Sequence, residues 1–370
     1  MALGITVTSE KIKRIGILTS GGDCAGLNAV IRAVVNRASR AYDWQVIGIR
    51  YGTDGLLSRP IEAVPLDFDA VPGRIIMMSG TILGTTSRGD PFHRPGPDGK
   101  PVDRSDAIIE AYRELGLDAL IGIGGDGSLA ILRRLAEKGG WRLVGIPKTI
   151  DNDVGLTDAA VGFDTAVQVA TEALDRLHFT AASHNRVMVL EVMGRDAGNI
   201  ALRAGVAGAA DVILIPEIPY TLDAVKRKIL RRVEHERNFS LVIVAESVKT
   251  ESGEKITVTG PDGRVRYGGI GHYLADRIAE VTGAETRVTV LGHVQRGGTP
   301  TPTDRVLGSA FGVYAVDLIA QGRFDRMVAW RQRRVVDVSI EEAIASYVPI
   351  APDDPLLHTA RGLGITLGDD

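Results

Sequence analysis

Short apolar, β-branched runs alternate with helical patterns along most of this 370-residue chain, and nothing else in it constrains the fold as strongly. RIGILTS precedes LNAVIRAVVNRASR, ALIGIG precedes SLAILRRLAEKG, and RVMVLEV precedes GNIALRAGVAG; WQVIGIR, RLVGIP, DVILIP and SLVIVAE are further runs of the first kind. A run that is apolar at every position reads as a strand buried on both faces, and covering both faces takes helices. The alternation therefore predicts an α/β chain of two doubly wound units with parallel sheets. The length agrees, at roughly two domains of about 150 residues, and no repeat of solenoid period is present.

Composition removes several function classes. Apolar residues at 44% and charged residues at 24% are ordinary for a globular chain, which excludes disordered and collagen-like classes. Lys plus Arg number 43 against 46 Asp plus Glu, and without a long basic run this argues against a dedicated nucleic-acid binder. The one cysteine, Cys24, cannot form an internal disulfide, and no CxxC or HExxH pairing offers a zinc site. MALGITVTSEKIKR lacks the apolar stretch of a signal peptide, and runs such as VILIP and LVIVA fall short of the roughly 20 residues that span a bilayer. A cytoplasmic protein without membrane contact is expected. Residues 91–103 and 250–269 each carry a PDG turn signal and read as surface loops, the second as a hairpin.

Glycine is the compositional outlier, at 44 residues, well above the roughly 7% of average usage. Two clusters, TSGGDCAGLNAV (19–30) and GIGGDGSLA (122–130), lie between an apolar run and a helical pattern. A helix start has unpaired N–H groups and the positive end of the dipole, so a strand–glycine–helix turn can cradle phosphate, although it also serves simply as a tight connection. Gly122-Ile123-Gly124-Gly125-Asp126-Gly127 matches GxGxxG, with Asp151 further on, which keeps a dinucleotide oxidoreductase open. Asp126 stands against it, because a carboxylate would repel pyrophosphate unless a cation lay between them. The same aspartate suits Mg²⁺ and a polyphosphate, with no GxxxxGK[ST] loop in the chain.

After RLVGIP comes Lys148-Thr149-Ile150-Asp151-Asn152-Asp153. Ligands of open α/β sheets bind beyond the carboxyl ends of strands, so one carboxylate here is placed to take a hydroxyl proton while its neighbour helps to hold metal. The plainer alternative is an Asx loop or a helix N-cap before Val154. The second half of the chain supplies Arg186, Arg195, Arg287, His293 and Arg296 near strand ends and glycine turns, suited to a phosphate. His293 fits a structural histidine equally well. Glu246, closing SLVIVAE, suits a sugar hydroxyl or an arginine partner. Together these residues describe a kinase acting on a phosphorylated, sugar-like acceptor.

IGILTSGGDCAGLNAVIRAVV, GGDGS, PKTIDND, GFDTA, EVMGRDAGNIAL, ETRVTVLGHVQRGGTP and DRVLGSAFG, in this order from about residue 13 to 330, strongly resemble the 6-phosphofructokinases. The resemblance implies two Rossmann-like doubly wound α/β domains with the active site in the cleft between them. Residues 1–162 plus 295–345 would bind ATP and Mg²⁺, and 163–294 plus 346–370 the sugar phosphate. It implies phosphoryl transfer from ATP to the 1-hydroxyl of fructose 6-phosphate, with Asp151 as base, Thr149 at the transferred group and Arg195 beside it. Asp126 with Asp153 would hold Mg²⁺, and Gly22, Arg88, Gly125, Asp126, Gly127 and Ser128 the nucleotide. Met193, Gly194, Arg195, Glu246, His293 and Arg296 would hold the acceptor. Arg186 and Arg287 would reach a neighbouring subunit's site, so a homo-oligomer, dimer or tetramer, is implied.

Three departures bear on these expectations. Lys148 stands where the common bacterial ATP enzymes have glycine, as in pyrophosphate-dependent members, whereas Gly127 stands where those members carry aspartate. Removing a carboxylate from the α-phosphate's space favours ATP, with pyrophosphate as the alternative donor and an NAD-dependent oxidoreductase as the remote one. An extra residue precedes Arg88 in GTILGTTSRGDPF, and Thr53 occupies a tyrosine position that contacts nucleotide in the family.

Overall fold

The computed structural model describes residues 12–87, 89–96, 98–234, 238–260 and 265–369. The predicted alternation folds into two sheets. The larger has seven strands in the spatial order Arg334–Ser339, Arg326–Arg331, Leu143–Pro147, Ala119–Gly124, Arg14–Thr19, Gln45–Ile49 and Ala63–Leu66. Its five inner strands run parallel and its two edge strands pair antiparallel. The smaller sheet is fully parallel, in the order Thr286–Val290, Val187–Val192, Ser240–Ala245, Val212–Leu214.

Burial explains which runs became central strands. Every residue of Ala119–Gly124, Leu143–Pro147, Val187–Val192 and Ser240–Ala245 is buried, as a strand covered by helices on both faces requires. The helix Leu27–Tyr42 covers one face of the larger sheet and packs against Pro302–Ala320. One apolar cluster runs from Ile15 and Ile17 of the larger sheet to Val189 and Val242 of the smaller. A second, including Leu120, Leu132 and Met327, lies within the larger-sheet unit.

The chain crosses between the sheets repeatedly. Residues 14–147 build the larger sheet, 187–290 the smaller, 326–339 return to the larger, and Thr366 bridges to Val212 of the smaller. The 22-residue helix Phe163–His184 makes the first crossing. Buried Asp304 accepts hydrogen bonds from the backbone N–H groups of Gly162 and Thr165, both at 2.8 Å, and from Thr165 Oγ1 at 2.5 Å, so the start of this helix is fixed from 139 residues away.

The expected second loop is a hairpin, Thr257–Thr259 against Val265–Tyr267. Its PDG turn, 261–263, lies outside the described residues, as does Pro97 of the first. Cys24 is free and buried, and no helix among the described residues is long and apolar enough to cross a membrane.

Candidate active site

Three neighbouring strands of the larger sheet end at the same rim, and their turns form the donor half of a cleft. Ala119–Gly124 passes through Gly125 into the helix Asp126–Gly139, whose first turn presents Asp126, Gly127 and Ser128 and the unpaired N–H groups of a helix start. The turn after Arg14–Thr19 lies opposite. Gly21 there has φ of +84°, and a Cβ on it would lie 2.9 Å from Ser128 Oγ, so both conformation and close approach call for glycine. Lys148, after Leu143–Pro147, is buried and donates from Nζ to the Gly22 carbonyl at 2.6 Å; burial pushes its pKa down. These turns line a cavity of about 380 Å³ that also reaches Asp151, Arg195 and Arg296. A Cβ on Gly127 would meet nothing within 4 Å.

The acidic turn follows directly. Thr149 Oγ1 donates to Asp153 Oδ1 at 3.1 Å and accepts from the Asp151 N–H at 3.0 Å. Asn152 takes a left-handed φ of 53°, and Asn199 Nδ2 donates to the Asp151 carbonyl at 3.1 Å. The N-cap alternative is not realised, since the next helix begins at Phe163. Both carboxyls are buried. Burial first, then the Asp153 charge, raises the Asp151 pKa from the usual 3.8 to about 7, and Asp153 is raised by burial and then by Asp126.

The smaller sheet supplies the opposite wall. Val187–Val192 ends in the turn Met193–Ala197, closed by the Ala197 N–H on the Gly194 carbonyl at 3.0 Å. A Cβ on Gly194 would sit 2.5 Å from the Ala197 carbonyl oxygen, a backbone atom that cannot yield. Arg195 has a left-handed φ of 55°, and its N–H, with that of Gly194, donates to Glu246 Oε1 at 3.0 and 3.3 Å. Of its two sequence readings, Glu246 therefore does not take an arginine side chain; it holds this turn, and burial raises its pKa. Arg195 Nη1 lies 3.2 Å from Asp126 Oδ1 and 3.8 Å from Asp153 Oδ2, so one guanidinium spans the two units. Beyond it a second cavity, of about 780 Å³, is lined by Met193, Arg195, Glu246 and His293 together with the 250s hairpin. Ser87, Met193, Arg195 and Glu246 line both cavities, making one continuous cleft.

Several expected residues sit elsewhere. Arg296 lines the donor cavity and donates to the Asp23 carbonyl at 3.1 Å, so it faces the first glycine turn rather than the larger cavity. Arg186 and Arg287 flank the entry ends of their strands, opposite the rim that carries Met193, and both pair with Glu285. The grouping of five cations at one phosphate thus fails for these two within one chain, because parallel strands place their first and last residues at opposite edges. Thr53 is buried at the start of a short helix and lines neither cavity. Arg88 lies outside the described residues, though its neighbours Ser87 and Gly89 line the donor cavity.

Sequence reading missed the residues that hold this site from a distance. Buried Gln295 accepts the Met193 N–H at 2.9 Å, and Asn199 steadies Asp151; each is an ordinary amide in the sequence and signals nothing without its partner. Lys255, Arg266 and Tyr267 belong to the cavity wall although their stretch reads only as a surface hairpin, with no sign of a cavity.

The comparisons agree with this geometry. The family model described as Phosphofructokinase matches residues 14–319. "ATP-dependent 6-phosphofructokinase 1" of Synechocystis sp. is 64% identical over 360 residues, covering 97% of this chain and 99% of that protein. An ATP-dependent 6-phosphofructokinase of Chloroflexus aurantiacus is 48% identical, covering 98% of this chain and 99% of the relative. The T-state crystal structure of Pichia pastoris phosphofructokinase superposes with TM-score 0.77 at 31% identity, over 96% of this chain and 37% of that one. A pyrophosphate-dependent phosphofructokinase from Marinobacter aquaeolei shares the fold at TM-score 0.76 and 23% identity, over 96% of this chain and 88% of that one. The cleft between the two sheets thus occurs in a chain that one family model matches over residues 14–319 and that relatives 48–64% identical match almost throughout, and the chain belongs to the phosphofructokinase family.

Proposed function

We propose that the protein transfers the terminal phosphoryl group of ATP to the 1-hydroxyl of D-fructose 6-phosphate, giving fructose 1,6-bisphosphate and ADP, a step of glycolysis; its relatives named ATP-dependent 6-phosphofructokinase support this reading. One observation carries the reading: Asp151, with a pKa raised to about 7, lines the glycine-walled cavity together with Met193, Arg195 and Glu246, which open into the second cavity. As the hydroxyl oxygen attacks the γ-phosphorus, Asp151 takes its proton, the bond to the β–γ bridging oxygen breaks, and ADP departs with that electron pair. Thr149, Arg195 and the N–H groups at the start of Asp126–Gly139 face the charge that develops. Met193, Gly194, Glu246 and His293 complete the acceptor site within one chain and Arg186 and Arg287 that of a neighbour; Arg296 serves from the donor side of the cleft, and Gly22, Arg88, Gly125 and Ser128 complete the donor site.

Asp126 and Asp153 fit Mg²⁺: their oxygens converge on a single guanidinium nitrogen, and Mg²⁺ takes one or two carboxylates together with substrate phosphates. When bound, the ion neutralises phosphate charge during transfer. Gly127 supports ATP, because it puts no carboxylate in the open space beside it to repel an α-phosphate, whereas Lys148 is engaged by the Gly22 carbonyl and leaves that space open. The donor unit comprises 1–162 plus 295–345 and the acceptor unit 163–294 plus 346–370. The protein works in the cytoplasm as a homo-oligomer, dimer or tetramer, in which Arg186 and Arg287 complete a neighbour's acceptor site. Their position away from their own cleft supports this arrangement. The decisive experiment supplies fructose 6-phosphate with ATP or pyrophosphate as sole donor: turnover with ATP is expected, and turnover with pyrophosphate alone overturns the donor assignment.

A further inference from the structure

The hairpin Thr257–Thr259/Val265–Tyr267 stands over the larger cavity, and Lys255, Thr257, Val265, Arg266 and Tyr267 form part of its wall. At its base, Tyr267 OH donates to Asp196 Oδ1 at 2.5 Å and accepts from Lys255 Nζ at 2.5 Å, while Lys255 Nζ lies 3.0 Å from the same carboxylate oxygen. Asp196 directly follows Arg195 in the turn that Glu246 holds from the opposite side. This turn needs holding, because a left-handed φ of 55° is unfavourable for an arginine. We propose that Tyr267, Lys255 and Asp196 are positioning residues: they clamp the hairpin onto the Met193–Ala197 turn, so that the acceptor cavity and the Arg195 backbone are pre-formed before the sugar phosphate arrives. The inference rests on the fructose 6-phosphate reading of this cavity.

The clamp makes a selective prediction. Loosening it lets the turn and hairpin populate arrangements that cannot bind acceptor, and apparent affinity falls by the fraction lost. Once acceptor is bound the site is the same, and the donor turns lie on other strands. Tyr267→Phe is therefore expected to raise KM for fructose 6-phosphate about three- to tenfold, with a smaller change in kcat and KM for ATP within about twofold. Lys255→Met behaves likewise, and Lys255→Arg, which keeps the cation, restores KM to within about twofold of wild type. The double variant Tyr267→Phe/Asp196→Asn raises KM no further than the larger single effect, because one clamp is lost once. Unchanged acceptor KM in both Tyr267→Phe and Lys255→Met, an equal rise in both substrates' KM, or additive effects in the double variant each overturn the clamp. Absence of fructose 6-phosphate turnover in the wild-type chain instead removes the functional reading beneath it.

Discussion

In the proposed role Asp151 combines two properties that oppose each other: a proton acceptor must ionise, and burial resists ionisation. Asp151→Asn is expected to lower kcat about 10²- to 10⁴-fold, the usual contribution of a positioned base, while fructose 6-phosphate binding changes little. Survival of kcat within about threefold would move the base elsewhere. The raised pKa also has a stability sign. The folded state holds the Asp151 proton up to about 7 and the unfolded chain releases it near 3.8, so stability is greatest below that window and falls as pH rises through it. At about 1.4 kcal/mol per pKa unit, Asp151→Asn should be the more stable protein at pH 8 and nearly equal to wild type below pH 4, read by thermal melting in chelator. Gly127→Asp tests the donor side. Its side chain has open space and an acidic residue suits a helix's first turn, so the fold survives. ATP turnover should fall far more than any pyrophosphate turnover, and equal loss with both donors would exclude an effect at the α-phosphate. The placement of these positions was legible in the sequence because Asp126, Gly127, Asp151 and Asp153 lie within two short turns, where neighbours in the chain are neighbours in space. Glu246 was legible as an acid at a strand end, but its partners, the N–H groups of residues 194 and 195, were not.

Among the elements, the helix Phe163–His184 is held at its start by a residue far from it in the chain. Asp304→Ala would leave buried N–H groups at Gly162 and Thr165 without their acceptor, at about 1–3 kcal/mol for each unsatisfied group. A loss on the order of 3 kcal/mol in urea unfolding is expected, and less than about 1 kcal/mol would show that water or a neighbour replaces the carboxylate. Nothing local marks this role: TPTDR reads as the start of its own helix, where Thr301 also serves as N-cap. Central strands were legible from their unbroken apolar runs, as ALIGIG and SLVIVA show. The edge strands Ala63–Leu66 and Arg334–Ser339 were not, because an edge can be short or mixed in polarity and still pair. The 250s hairpin was visible as an element, yet its alignment with Asp196 depends on contacts across some 60 to 70 residues.

The whole molecule adds what one chain's cleft leaves out. If Arg186 acts across an interface, Arg186→Ala and Asp151→Asn damage different partners' contributions to a site. Refolding the two inactive variants together should restore about a quarter of wild-type sites, those pairing an intact acid with an intact neighbouring arginine. No recovery would confine both residues to one chain. The two-unit architecture was readable from the alternation of strands and helices, and the family resemblance implied that 295–345 rejoin the first unit; the edge of the sheet that 326–339 join was not readable, because sequence order does not disclose where a late strand pairs. That return has a consequence during synthesis. Leu143–Pro147 leaves the ribosome as a fully apolar strand whose neighbour on one side, Arg326–Arg331, has yet to be translated. At about 5–20 residues per second the nascent protein carries this open seam for roughly ten to forty seconds, while the smaller sheet is made and closed. The first half therefore cannot finish folding until that seam is closed, and association through the open edge competes with folding for as long.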